Sequence, residues 1–70
     1  MELDQLNEFK ESSNWKAFKA EIEKEIQLKV DSYDNCVTER EFLLVRERIR
    51  TLRLILEFPE ILIERIVSAQ

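Results

Sequence analysis

Seventy residues with no glycine, no histidine, one proline and one cysteine limit the chain to a single small domain or a component of an assembly. A lone cysteine excludes an internal disulfide. Without histidine the usual nitrogen and sulfur ligands of a zinc site are missing, and without glycine there is no P-loop or dinucleotide-binding turn. The net charge of −4 argues against general nucleic-acid binding, which needs a basic footprint.

Leu3, Leu6 and Phe9 recur at three-residue steps and predict a short helix over 2–11, too short to stand alone in water. Ser12-Ser13-Asn14 interrupts it, and Ser12 or Ser13 is expected to cap the next helix. That helix is predicted over 14–34. Its apolar stripe of Trp15, Phe18, Ile22, Ile26, Val30 and Tyr33 follows the period of an amphipathic helix. On the opposite face Glu25 stands four residues before Lys29, a favourable pair, while Glu21 and Glu25 repel. Asp34-Asn35-Cys36-Val37 reads as a turn, with Asn35 as a left-handed residue in place of glycine.

Thr38 and Glu41 form a capping box, and Val37 with Phe42 the accompanying hydrophobic staple, so a second long helix is expected over 39–57. Its stripe of Phe42, Val45, Ile49, Leu52 and Leu56 has the 3-4 spacing of a coiled-coil seam. Pro59 is expected to end it, because proline lacks the amide donor and restricts Phe58. A third helix then runs over 59–68, with Leu62, Ile63, Ile66 and Val67 on its apolar side. The expected architecture is all-α. Two long helices pack as an antiparallel, coiled-coil-like hairpin, with short helical arms at both ends and one domain over 1–70.

The predicted core is Trp15, Phe18, Phe42, Val45, Ile49, Leu52 and Leu56. Leu43, Leu44, Leu54 and Ile55 lie off that seam, and the last helix adds more apolar residues than the end arms can cover. The remainder predicts an exposed patch and hence a homo-oligomer, two hairpins being the simplest case, or a different protein covering it.

All five lysines lie in the first 35 residues and all six arginines in the rest. Arg46, Arg50 and Arg53 fall at i, i+4 and i+7 on one helical stripe. Such a stripe either pairs with neighbouring glutamates on a solvated face or grips a partner's acidic helix or the phosphate of a nucleic acid. The candidate partner-binding set is therefore Arg46, Arg50 and Arg53 with Leu54, Phe58, Leu62 and Ile66.

Other chemistry finds little support. Glu21 with Glu25, and Glu57 with Glu60 and Glu64, place carboxylates together but suggest no cleft that would tune them. Cys36 has no histidine to activate it and reads as a structural residue. No catalytic, cofactor-binding or metal-ligating residues are predicted, so no cofactor and no enzyme is expected. An acidic start without an apolar run predicts no signal peptide, and no stretch has the apolar length of a membrane span. A lone free cysteine fits a reducing compartment, and a cytoplasmic setting is the expectation. A second functional reading is a small acidic inhibitor or DNA mimic of a host enzyme. Its carboxylates would come from Glu2, Asp4, Glu8, Glu11, Glu21, Glu23, Glu25, Asp31 and Asp34.

The layout carries one resemblance. Trp15 follows a short arm bearing Leu3 and Leu6 and a serine break. A charged helix and an acidic turn come next, and the sequence R-E-R-I-R-T-L-R-L-I-L-E-F-P-E runs from Arg46 to Glu60. Over about residues 6–60 this resembles small helical-hairpin proteins of tailed bacteriophages. The resemblance implies a non-enzymatic, virion-associated, assembly or host-interaction role, in the host cytoplasm or the virion. It carries over no catalytic residue.

Overall fold

A computed structural model describes residues 2–69. Three α-helices account for nearly all of them: α1 over Leu3–Glu11, α2 over Ser13–Asp31 and α3 over Glu39–Ala69. A short 3-10 turn over Ser32–Asn35 follows α2, and no described residue is in a strand. The chain is all-α, as its periodicity indicated.

Local chemistry sets most boundaries. The Glu2 N–H donates to the Gln5 side chain at 3.0 Å, closing the open start of α1. Ser12 is the hinge between α1 and α2. Its extended backbone ends α1, and its hydroxyl accepts from the Trp15 N–H at 3.2 Å while donating to the Phe9 carbonyl at 2.7 Å. One serine thereby terminates one helix and caps the next, which is why a single residue suffices as a break. Along α2, Lys29 meets Glu25 at 2.9 Å and Lys24 meets Glu21 at 3.1 Å.

The turn differs from the expectation for Asn35. No described residue has a positive φ; Asn35 closes the 3-10 turn instead, and the Cys36 N–H donates to the Tyr33 carbonyl at 3.1 Å. A tightened last turn does what a left-handed residue would have done. Half-buried Cys36 sits here, its thiol 3.6 Å from the Ser32 carbonyl. Thr38 opens α3 as expected, its hydroxyl accepting from the Glu41 N–H at 3.1 Å. The Glu41 carboxylate reaches one residue further back than a capping box does, accepting from the Val37 N–H at 2.8 Å. The staple does not form: Val37 is 89% exposed, and Phe42 lies instead against Tyr33, their ring centroids 4.7 Å apart.

The largest correction concerns Pro59. It does not end a helix; α3 continues through it for 31 residues, so the two helices expected over 39–57 and 59–68 are one. The arm expected at the C-terminal end is the last three turns of α3. Proline inside a helix costs about 3 kcal/mol. The helix continues in spite of that cost. Pro59 is buried, Leu56 and Ile61, Leu62 and Ile63 are half-buried around it, and Lys10 of α1 pairs with Glu60.

The long helix sets the shape. Thirty-one residues at about 1.5 Å each span about 46 Å, matching the 48 Å long axis of the molecule. The chain reverses between α2 and α3. Tyr33 faces Phe42, Lys29 shares a groove with Arg48, and Trp15 borders one with Pro59. Continuing backwards, Lys10 meets Glu60, and Leu6 adjoins Leu62 and Ile66. Helices α1 and α2 thus follow each other along α3, with Ser12 as the break. The molecule measures 48 × 27 × 11 Å, a single layer of helices.

The core is correspondingly small. Leu6, Trp15, Ile22 and Ile49 are the buried large apolar side chains, with Pro59 beside them. Ile49, at 3% exposed, anchors the seam of α3, while Val45, Leu52 and Leu56 are half-buried. Phe18 and Phe42 are not core residues as expected: Phe18 is 54% exposed, and Phe42 has one face on Tyr33. In a single layer nothing lies above them.

Candidate functional site

The exposed apolar surface is the distinguishing feature. Leu43, Leu44, Leu54, Ile55 and Phe58 of α3 all face solvent, as do Phe9, Phe18, Leu28 and Val67. Two grooves organise part of it. The first, of about 620 Å³, is lined by Tyr33, Phe42, Ile49 and Leu54 with Arg46, Arg50, Arg53 and Glu57. Its three arginines come from one stripe of α3. Among the described residues Arg50 meets Glu47 at 3.9 Å, and no carboxylate lies within ion-pair distance of Arg46 or Arg53. The rigid guanidinium forks are thus available to an acidic group from outside.

The second groove, of about 380 Å³, is lined by Leu6, Phe9, Trp15, Leu54, Ile55, Phe58, Pro59 and Leu62. No charged side chain lines it. The Phe9 and Trp15 rings meet in it with centroids 5.1 Å apart, and the Ser12 hydroxyl ties the backbone of the two residues together, donating to the Phe9 carbonyl and accepting from the Trp15 N–H. Leu54 lines both grooves, so the charged one passes into the apolar one. Further along, Leu62 and Ile66 adjoin Leu6, Arg65 and Ala69 in a shallower hollow.

The seven residues singled out in sequence therefore divide by place. Arg46, Arg50, Arg53 and Leu54 share the charged groove, Leu54, Phe58 and Leu62 the apolar one, and Leu62 and Ile66 the hollow beyond. Sequence reasoning missed Leu6, Phe9 and Pro59 as groove residues, assigned Tyr33 and Phe42 to helix seams, and took Trp15 as a core or interface anchor. One signal was present: Lys10 and Glu60, opposite in charge and next in sequence to Phe9 and Pro59, form an ion pair that joins α1 to α3.

Among the described residues no three Asp, Glu or Cys side chains come together to hold a metal ion. No helix of the described chain is long and apolar enough to cross a membrane. The carboxylates considered for catalysis lie on exposed faces: Glu21 and Glu25 pair with lysines, and Glu57, Glu60 and Glu64 are exposed along α3.

The fold and grooves define a class: an all-α chain in one layer, with a contiguous charged and apolar groove along its longest helix. Comparison with known protein families, with curated sequences and with solved structures finds no match for this chain.

Proposed function

We propose that the chain is a non-enzymatic protein–protein interaction module that self-associates and docks on a larger assembly. The supporting observation is an excess of surface. The accessible area is 5766 Å², whereas a compact monomer of 8.5 kDa exposes about 4,650 Å². The radius of gyration, 15.6 Å, likewise exceeds the roughly 11 Å of a compact domain of this length. The excess, about 1,100 Å², is slightly more than the roughly 800 Å² that each partner buries in an interface of standard size. Domains ordinarily close a core between two layers; here a partner supplies the second layer, in the simplest case a second copy of the chain.

In this reading α2 and the first part of α3 form an antiparallel, coiled-coil-like hairpin. Val45, Ile49, Leu52 and Leu56 make its seam, Phe42 lies against Tyr33 at the turn, α1 lies at the open end, and two such hairpins make the simplest assembly. Arg46, Arg50 and Arg53 serve a partner's acidic groups, with Leu54, Phe58, Leu62 and Ile66 as the apolar contact. A phage virion or its assembly in a host cytoplasm is the setting that the sequence resemblance implies. The inhibitor or DNA-mimic reading has less support, because Glu11, Glu21 and Glu25 each lie within 3.8 Å of a lysine that offsets their charge.

Sedimentation equilibrium at micromolar concentration tests the proposal. The expected result is a mass of at least twice 8.5 kDa; a monomer with a cooperative melt would remove the self-association claim.

A further inference from the structure

We infer that the occupant of the apolar groove is a second copy of this chain, seated groove to groove about a two-fold axis, with Leu54, Phe58 and Leu62 as the anchors. The inference rests on the self-association reading and adds the surface that carries it. Three observations lead there.

A two-fold contact brings each patch against its own copy, so the patch must tolerate itself. The apolar groove does: its eight lining residues are uncharged. The arginine groove does not, since three arginines and one glutamate would meet the same set, and like charges brought together at an interface oppose association. Of the two grooves, only the apolar one is compatible with self-pairing.

The composition of the patch fits an interface core. Phe9, Trp15 and Phe58 give it three of the chain's six aromatic residues, and aromatic side chains are enriched where binding energy concentrates. Trp15 and Pro59 are buried already and give a firm floor. Leu54 and Phe58 are about half exposed and stand out from it.

The area also fits. The chain as a whole exposes about 1,100 Å² more than a compact monomer, which leaves room for a standard dimer interface centred on this groove and extending beyond it. Pairing through the apolar groove leaves the adjoining arginine groove with Arg46, Arg50 and Arg53 at the edge of the dimer, open to a different and acidic partner.

Two substitutions of opposite charge test the face, F58E and L54K, with L44E as a control outside both grooves. Each is at a half-exposed position, and far-UV circular dichroism verifies that the helices persist. Because a two-fold interface contains each residue twice, loss of an anchor at the level of an interface hot spot weakens dimerisation roughly a thousandfold. Sedimentation equilibrium at micromolar concentration should return a dimer for the wild type and L44E, and a helical monomer for F58E and L54K. A wild-type monomer would overturn the inference together with the self-association reading and would assign the groove to a different protein. A dimer that survives both F58E and L54K, or that L44E abolishes, would overturn the assigned face while leaving self-association intact. Should F58E lose its helices, L54K alone decides between these outcomes.

Discussion

Replacing Trp15 with alanine is expected to abolish cooperative unfolding of the chain. Trp15 is where all three helices meet. Its ring lies 5.1 Å from Phe9 of α1 and 6.0 Å from Phe18 of α2, and it borders Ile55, Phe58 and Pro59 of α3. Truncating a buried tryptophan costs about 3–5 kcal/mol. A lone core in a chain this short rarely supplies more than about 3–5 kcal/mol. Loss and supply are of the same size, so W15A should show a broad thermal transition by circular dichroism, with helicity well below the wild type at 25 °C. Phenylalanine at the same place should keep a cooperative melt at a lower midpoint, because it retains part of the aromatic cluster. A W15A variant melting within a few degrees of the wild type would mean that the helices are held elsewhere.

Replacing Pro59 with alanine is expected to stabilise the protein. In the interior of α3 proline withholds an amide from the Ile55 carbonyl and crowds the preceding turn, a cost of about 3 kcal/mol relative to alanine. Alanine gives up about two buried methylenes, roughly 1.6 kcal/mol. The net gain is about 1–2 kcal/mol, and in a domain of this size each kcal/mol moves the melting midpoint by about 4–8 °C. P59A should therefore melt roughly 5–15 °C higher at equal protein concentration. A lower midpoint would show that the proline ring, which lines the apolar groove with Leu6 and Trp15, contributes more than the helix loses by it.

These two positions also show what was legible from sequence. The caps were, because capping is local: the hydroxyls of Ser12 and Thr38 bond within three residues of themselves. The α2 stripe was legible at Trp15 and Ile22, and the α3 seam at Ile49, since each follows from helical period. Pro59 was not, because its local preference to end a helix is opposed by α1, which is more than forty residues away in sequence and joins α3 through Lys10 and Glu60. Phe18 and Phe42 were misplaced for a related reason. Periodicity identifies an apolar face but not whether a second layer covers it, and in a slab 11 Å thick none does. The candidate surface was half legible. Its α3 side follows from helical spacing, from Arg46 to Leu54 in the helix expected before Pro59 and at Leu62 and Ile66 in the one expected after it; that the two are one helix did not. The α1 side, Leu6 and Phe9, becomes part of it only through the bend at Ser12.

Self-association as proposed couples folding to assembly, since one layer leaves about 1,100 Å² more surface than a compact monomer of this mass exposes. Thermal unfolding followed by circular dichroism over a hundredfold range of protein concentration tests this directly. For a protein whose folded state is a complex, the midpoint rises with concentration by mass action. The predicted result is a steady upward shift across that range in the wild type and a much smaller one in F58E. A midpoint that does not move, in a chain that sediments as a monomer throughout, would contradict the claim.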